Sequence, residues 1–266
     1  MNYSFFFKLF SRIFRIFFNF KNDDIKLTEL NKLFYLGGFD FVATSVNDFN
    51  LITRQNSDFI LKKTFQDSIK FAEKITHQKR SSEWIFNSFL WSSETGLRID
   101  GDFVELGVER GYLTLAMLKY IGVKKFKNRS IYLLDSWEGV DQETLLPGEE
   151  EMDINWNKQF EGNYEFVKKT FKKYSFVKII KGFIPETLPK IDSNKISFLH
   201  IDLNSAFPEA EAIKFLWNKI VPGGIILLDD YNQVSREVQK DTINKLSKTI
   251  GFSVLSLPTG QGLIIK

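Results

Sequence analysis

Between Gly101 and Gly111 the chain reads Gly-Asp-Phe-Val-Glu-Leu-Gly-Val-Glu-Arg-Gly, an apolar strand core that runs directly into a turn set between glycines. The strand spans Asp102 to Leu106. Gly107 and Gly111 allow the backbone to turn sharply and come close to a ligand before a helix begins near Tyr112. Roughly twenty residues further on, Ile131-Tyr-Leu-Leu-Asp135 ends a second apolar strand on an acid, placed where a ribose diol lies in a doubly wound sheet. Few folds accommodate both features except an alternating α/β domain with a cofactor crevice at one sheet edge.

The glycine spacing bears on the cofactor. A dinucleotide site uses Gly-x-Gly-x-x-Gly, whose close glycine pair seats a pyrophosphate on a helix N-terminus. Here the spacing is Gly-x-x-x-Gly, and Glu105 stands where that phosphate would be. This disfavours a nicotinamide-dependent oxidoreductase and favours a cofactor with no phosphate and a cationic amino-acid end, which describes S-adenosylmethionine. A plain turn is the competing reading, because glycines commonly follow strands.

Downstream of Arg110 the pattern is regular. Strands are expected near 102–106, 130–135, 176–181, 196–201, 223–228, 252–256 and 261–265, with helices near 112–121, 155–173, 208–219 and 234–249. That alternation predicts a Rossmann-like α/β fold with a seven-stranded, mainly parallel sheet covered on both faces. The last two strands flank Pro258-Thr-Gly260 and are expected to form an antiparallel C-terminal hairpin. A helix over 81–96 leads into the first strand.

Ahead of this domain, residues 1–22 are dense in Phe, Ile and Leu, with Lys8, Arg12, Arg15 and Asn19 at helical spacing. Three cations inside the run argue against a transmembrane span, and no small-residue cleavage site marks a signal peptide. The segment reads as an N-terminal helical extension. It either lies on an anionic membrane surface as a peripheral contact or docks onto its own domain or a second subunit, which leaves a homo-oligomer open. Residues 23–80 lack strand alternation and are expected to hold short helices forming a cap or lid, so the division is 1–22, 23–80 and 81–266.

Formal charge is +3 from 36 basic and 33 acidic residues, too balanced to carry an electrostatic footprint for nucleic acid. With no cysteine, disulfides, thiolate metal sites and a Cys nucleophile are excluded, and a reducing cytoplasm is compatible. The segment 136–153 is long for a connection following a strand, as lids and substrate loops tend to be. Its acids, in Pro147-Gly-Glu-Glu-Glu-Met-Asp153, also suit a solvated surface loop.

Two further apolar runs end in acids, Phe198-Leu-His-Ile-Asp202-Leu-Asn204 and Ile225-Ile-Leu-Leu-Asp229-Asp230-Tyr231. In a parallel sheet both emerge at the carboxyl edge, beside the crevice. Three carboxylates converging there repel unless a cation joins them, and an all-oxygen set suits Mg²⁺, so Asp202, Asp229 and Asp230 are the metal candidates. Capping or an Asx turn is the structural alternative for any one of them, Asp230 above all.

These blocks, with Leu134-Asp-Ser-Trp-Glu-Gly139, Val221-Pro-Gly-Gly224 and Leu257-Pro-Thr-Gly-Gln-Gly-Leu263, make the chain from about Arg80 onward resemble the macrocin O-methyltransferase family. The resemblance implies Mg²⁺-assisted methyl transfer from S-adenosylmethionine to a hydroxyl, usually of a sugar on a small molecule. It implies that Asp202, Asp229 and Asp230 hold the metal, that Glu105 and Gly107 meet the methionine end of the cofactor, that Asp135 meets its ribose, and that Trp137 lies near the adenine. Gly111, Ser136, Gly182 and Asp202 complete the candidate cofactor set.

One position departs from the family pattern. Many members have Asp-x-Asp where this chain has Asp202-Leu-Asn204, and the second acid is their proton acceptor; an amide cannot take that role. Asn204 then orients the hydroxyl while the metal makes a weaker base sufficient, or His200 serves as base, or the protein binds cofactor as a scaffold without efficient turnover. His200, two residues before Asp202 in a strand, also reads as a core histidine.

Overall fold

The computed structural model describes residues 45–47, 51–53, 56–79, 83–149, 160, 162–233 and 235–266. The expected helix over 1–22 and the first part of the expected helix over 155–173 lie outside the described residues. Contacts divide the chain into two units, Met1–Leu61 with Ser81–Glu83 and Lys62–Arg80 with Trp84–Lys266. In the first, β1 (Ser45–Asn47) pairs antiparallel with β2 (Leu51–Thr53). This hairpin was not among the elements expected over 23–80, where short helices were. Strands of three residues are too short for alternation to register in sequence.

The second unit is built on a seven-stranded sheet of order β5-β4-β3-β6-β7-β9-β8. Its strands are β3 (Asp102–Leu106), β4 (Ile131–Asp135), β5 (Val177–Lys181), β6 (Ile196–Ile201), β7 (Ile220–Leu228), β8 (Leu255–Ser256) and β9 (Gly262–Ile265). The strands β3 to β7 are parallel, while β9 runs antiparallel to β7 and to β8. The Rossmann-like sheet and the antiparallel C-terminal pair are as expected. The chain moves outward from β3 through β4 to β5 and then returns to β6 on the other side of β3, so the strand order reverses between β3 and β6. In such sheets the ligand crevice opens at this reversal.

Helices α1 (Lys63–Thr76), α2 (Glu83–Gly96), α3 (Tyr112–Met117), α4 (Asn163–Phe171), α5 (Ala206–Leu216) and α6 (Glu237–Ile250) accompany the strands. One sheet face is aliphatic: Val104, Leu106, Leu199, Ile201, Ile226 and Leu228 are buried in a cluster with Ile213 and Leu216 of α5 and Ile243 of α6. On the other face aromatic rings meet edge to face. Phe103 lies 5.3 Å from Phe198 and 5.4 Å from Phe126, and Phe89 of α2 lies 5.5 Å from Phe198. Each such pair adds roughly 0.5–1.5 kcal/mol to the burial of its area. Part of the chain's stock of 28 Phe is thus a packing layer directly beneath the crevice.

Several elements differ in extent from their expected bounds; β8, expected over 252–256, is only Leu255–Ser256. β7 begins at Ile220 rather than 223, because Val221-Pro-Gly-Gly224 is absorbed as an irregularity: the register against β6 jumps from Ile196↔Ile220 to Phe198↔Ile225. A bulge is where a strand tolerates a proline that donates no hydrogen bond. Helix α3 is α-helical only to Met117 and continues as a π turn, Leu118–Gly122.

Gly107 shows why the loop after β3 needs a glycine. Its φ is +84°, and a Cβ there would sit 1.8 Å from the Asp202 carbonyl oxygen. Gly251, which closes α6, has φ +90° but nothing within 4 Å of a Cβ. Gly251→Ala is therefore expected to cost about 1 kcal/mol of strain. Gly107→Ala must separate the β3 and β6 loops as well and is expected to cost more than about 3 kcal/mol. Urea denaturation of the two variants measures the difference, and equal costs would contradict the close approach.

Candidate active site at the carboxyl edge of the sheet

Main-chain hydrogen bonds between neighbouring strands place the candidate residues. Gly107 donates to the Leu134 carbonyl (2.9 Å), Asp202 to that of Leu106 (2.8 Å), Asp229 to that of Ile201 (2.9 Å), and Gly182 to that of Asp135 (2.9 Å). Gly107, Asp135, Asp202 and Asp229 thus emerge along one edge, on both sides of the reversal point. The side-chain oxygens offered by Asp202, Asp229 and Asp230 all lie within 4.8 Å of one another.

On the side of β3 and β4, Asp135 ties two loops together. Its Oδ2 accepts from the amides of Val108 (2.7 Å) and Glu109 (2.8 Å), and its Oδ1 accepts from that of Trp137 (2.6 Å). Burial pushes its carboxyl above the ordinary aspartate value, although these three amides favour the charged form. Glu105 is buried and its carboxylate accepts from the Thr114 hydroxyl in the first turns of α3. Ser136 donates to the Gly139 carbonyl (2.8 Å) and shapes a local turn.

Trp137 is only 4% exposed. Its indole nitrogen donates to the Glu109 carbonyl (2.7 Å), and its ring centroid lies 5.0 Å from that of Tyr164. Gly111 and Gly182, like Gly107, have positive φ, and protein occupies their missing Cβ positions, 2.4 Å from the Phe171 ring and 2.6 Å from the Thr187 methyl. These glycines admit neighbouring protein atoms, so any ligand would meet main chain rather than space left by an absent side chain.

On the side of β6 and β7, the carboxylates are held by residues that sequence reasoning missed. Gln261 donates to Asp229 Oδ1 (3.0 Å), and its own amide oxygen accepts from the Thr259 hydroxyl (3.0 Å), which fixes the orientation of the amide. Glu209, in the first turn of α5, accepts from Gln239 (3.0 Å). Burial, and then the charge of Asp230, push Glu209 well above the ordinary glutamate value. The only sequence signal was that Thr259 and Gln261 fall within the family-like block Leu257 to Leu263.

His200 is fully buried. Its Nε2 lies 3.7 Å from Asp229 Oδ1, and its ring meets Phe89 edge to face at 5.0 Å. A base for an acceptor hydroxyl must come within hydrogen-bond reach of it, and an enclosed imidazole beneath Asp229 has no such access. Full burial of the imidazole fits the core reading of His200. His77, outside the site, is exposed and closes α1 in a left-handed conformation.

The loop after β4 is not uniformly solvated. Glu149 is buried, and its carboxylate accepts from the amides of Leu146 (2.9 Å) and Ala206 (2.8 Å). Ala206 is the first residue of α5, whose N-cap Ser205 makes no side-chain cap bond. The loop therefore supplies the helix cap from 57 residues away in sequence and is anchored just beyond Asn204.

Asp230 is 5% exposed and its Oδ2 has no hydrogen-bond partner among the described residues. Burial, and next the charge of Asp229, raise it from the ordinary value of 3.8 to about 6. An orphaned buried oxygen beside two further carboxylates fits a hard divalent ion that prefers oxygen ligands. In the metal-free protein the folded state holds the Asp230 proton up to about pH 6, whereas the unfolded chain releases it near 3.8. Stability therefore falls as pH rises between these values, by on the order of 3 kcal/mol when fully ionised. In chelator, wild-type melting temperature is expected to drop between about pH 4 and 6.5 and that of Asp230→Asn to drop less. Parallel pH profiles would exclude Asp230 as the source.

Comparison with known proteins gives the family of this chain and agrees with its fold. The family model Macrocin-O-methyltransferase (TylF) matches residues 39–248. Demethyldecarbamoylnovobiocin O-methyltransferase of Streptomyces niveus is 25% identical over 143 residues, 51% of this chain and 55% of the relative. The 8-demethyl-8-(2,3-dimethoxy-alpha-L-rhamnosyl)-tetracenomycin-C 4'-O-methyltransferase of Streptomyces olivaceus is 25% identical over 140 residues, 50% of this chain and 54% of the relative. The chain thus spans a little over half the length of these curated relatives. Among solved structures, the O-methyltransferase NovP superposes with a TM-score of 0.62 at 20% identity, covering 70% of this chain and 81% of that one. The calicheamicin methyltransferase CalS11 gives 0.61 at 15% identity, covering 80% and 94%. With the family match extending over more than three quarters of its length, this chain belongs to the macrocin-O-methyltransferase family.

Proposed function

We propose that this protein transfers the methyl group of S-adenosylmethionine to a hydroxyl of a sugar or glycosylated small molecule, with Mg²⁺ at Asp202, Asp229 and Asp230. The observation that carries the proposal is the gathering of three carboxylates beside the Gly107 loop, with one buried Asp230 oxygen lacking a partner among the described residues. Family membership and the rhamnosyl acceptor in the name of the Streptomyces olivaceus relative support the sugar class.

S-adenosylmethionine supplies a methyl already activated on a sulfonium, so most of the protein's task is orientation. The residues suited to hold it are Glu105, whose buried carboxylate matches a cationic amino-acid end, the main chain around Gly107 and Gly111, and Asp135 for the ribose. Trp137 and Ser136 shape the neighbouring turn, and Gly182 continues the same edge from β5. Held by Asp202, Asp229 and Asp230, Mg²⁺ would lower the proton affinity of a nearby hydroxyl, so that its proton can pass to solvent water as the oxygen takes the methyl group. Asn204 cannot accept a proton and instead holds Asp202, its Nδ2 lying 3.0 Å from Asp202 Oδ1.

Calorimetry is expected to show S-adenosylmethionine binding with no binding of NAD, and the reverse result would reject the cofactor assignment. Incubation with a panel of glycosides, labelled S-adenosylmethionine and Mg²⁺ is expected to label a hydroxyl. Excess chelator should abolish transfer, and Asp229→Ala should lower it by at least tenfold. Turnover unchanged in chelator would remove the metal from the proposal, and saturable cofactor binding without transfer to any glycoside would favour a scaffold.

A further inference from the structure

We infer that Arg236 is a positioning residue of this site and acts through Asn204 on Asp202. The inference rests on the divalent-cation reading above and extends it to a residue outside the carboxylate set.

Arg236 is the N-cap residue of α6, where it makes no side-chain cap bond. A helix N-terminus favours Ser, Thr, Asp or Asn and disfavours a cation, so local helix stability does not account for an arginine there. Its guanidinium instead turns toward the β6 loop. Nη1 donates to the main-chain carbonyl of Asn204 at 3.1 Å, and Nη2 donates to Asn204 Oδ1 at 2.9 Å.

This two-pronged contact sets the asparagine in two ways. Asn204 has φ +59°, a left-handed bend that asparagine tolerates better than most residues, and a clasp on both its oxygens secures that bend. A guanidinium has only donors, so the amide oxygen must face it and the amide nitrogen must face away. That nitrogen donates to Asp202 Oδ1 at 3.0 Å. The chain Arg236–Asn204–Asp202 therefore directs one oxygen of a metal candidate by hydrogen bonds whose polarity is fixed at its arginine end.

Geometry and charge make opposite predictions. If Arg236 acts by orienting Asn204, losing the fork weakens cation binding even when the positive charge is kept. If it acts only as a nearby charge, lysine preserves binding and alanine tightens it by removing repulsion. Mn²⁺ is the probe, with free ion followed by electron paramagnetic resonance during titration of the full chain without S-adenosylmethionine. Melting in chelator checks the fold of each variant.

Arg236→Lys and Asn204→Ala are each expected to weaken Mn²⁺ about tenfold, as loss of a partner that orients a ligand does. The double variant should bind no more weakly than Asn204→Ala alone, because the two residues form one link. Wild-type affinity in Arg236→Lys, tighter binding in Arg236→Ala, or additive losses in the double variant would overturn the inference. If the lysine variant does not fold, Asn204→Ser tests the link from its other end, and unchanged Mn²⁺ affinity there would overturn it equally. Failure of the wild-type protein to bind Mn²⁺ is a separate outcome that removes the cation reading itself.

Discussion

The site is organised around a repulsion. Asp202, Asp229 and Asp230 bring oxygens within 4.8 Å of one another at a sheet edge where Asp230 is buried and the other two are partly so, and Glu209 stands close enough to Asp230 to be raised by its charge. Like charges in a low-dielectric setting are costly, and much of the surrounding sequence bears on that cost. Gln261 and Asn204 donate amide hydrogens to Asp229 and Asp202, while Gln239 donates to Glu209. Arg236 contributes the nearby positive charge. What these donors leave unmet is concentrated at Asp230, whose second carboxylate oxygen has no partner among the described residues and whose proton is held to about pH 6. A divalent ion is the ligand that would relieve both at once.

The fold that imposes this crowding was largely legible in the sequence, because parallel strands buried on both faces read as unbroken apolar runs and each run here ends on a chemically distinctive residue. Phe103-Val-Glu-Leu106, Ile131-Tyr-Leu-Leu134, Phe198-Leu-His-Ile201 and Ile225-Ile-Leu-Leu228 identify four adjacent strands, and Gly107, Asp135, Asp202 and Asp229, which follow them, mark their carboxyl ends. The carboxylate cluster follows from that topology with little further information. The start of β7 was hidden because a bulge at Pro222 breaks the strand pattern. The hairpin β1–β2 was hidden because three residues per strand carry no period.

The supporting residues were not legible, and the reason is physical. Gln261, Thr259, Gln239 and Arg236 are polar residues on loops and helix ends, where polar residues are the default, and nothing in their spacing distinguishes a side chain that turns inward. The roles of Gln261, Gln239 and Arg236 depend on contacts across 30 to 32 residues of sequence, such as Gln261 to Asp229 and Arg236 to Asn204. Glu149 is a sharper case. Its neighbours in Gly148-Glu-Glu-Glu151 suggest a solvated acidic loop, yet this carboxylate is buried and caps α5. One residue in an acidic run can be structural while the run as a whole has the composition of a surface.

Asp135 illustrates how far the cofactor side is organised before any ligand arrives. A carboxylate offers about four acceptor positions, and amides occupy two on Oδ2 and one on Oδ1. These bonds fix the loop after β3 to the loop after β4, so the turn at Val108 and Glu109 does not have to be ordered by binding. They also leave one acceptor position, enough for a single hydroxyl of a ribose diol. The other hydroxyl would need a different partner, such as main chain along this edge. Recognition of such a cofactor would then depend more on backbone geometry than on side-chain identity. That dependence explains why Gly107, whose Cβ position is taken by the Asp202 carbonyl, couples the cofactor side of the crevice to the carboxylate side. A shift of either loop would disturb both halves of the site together.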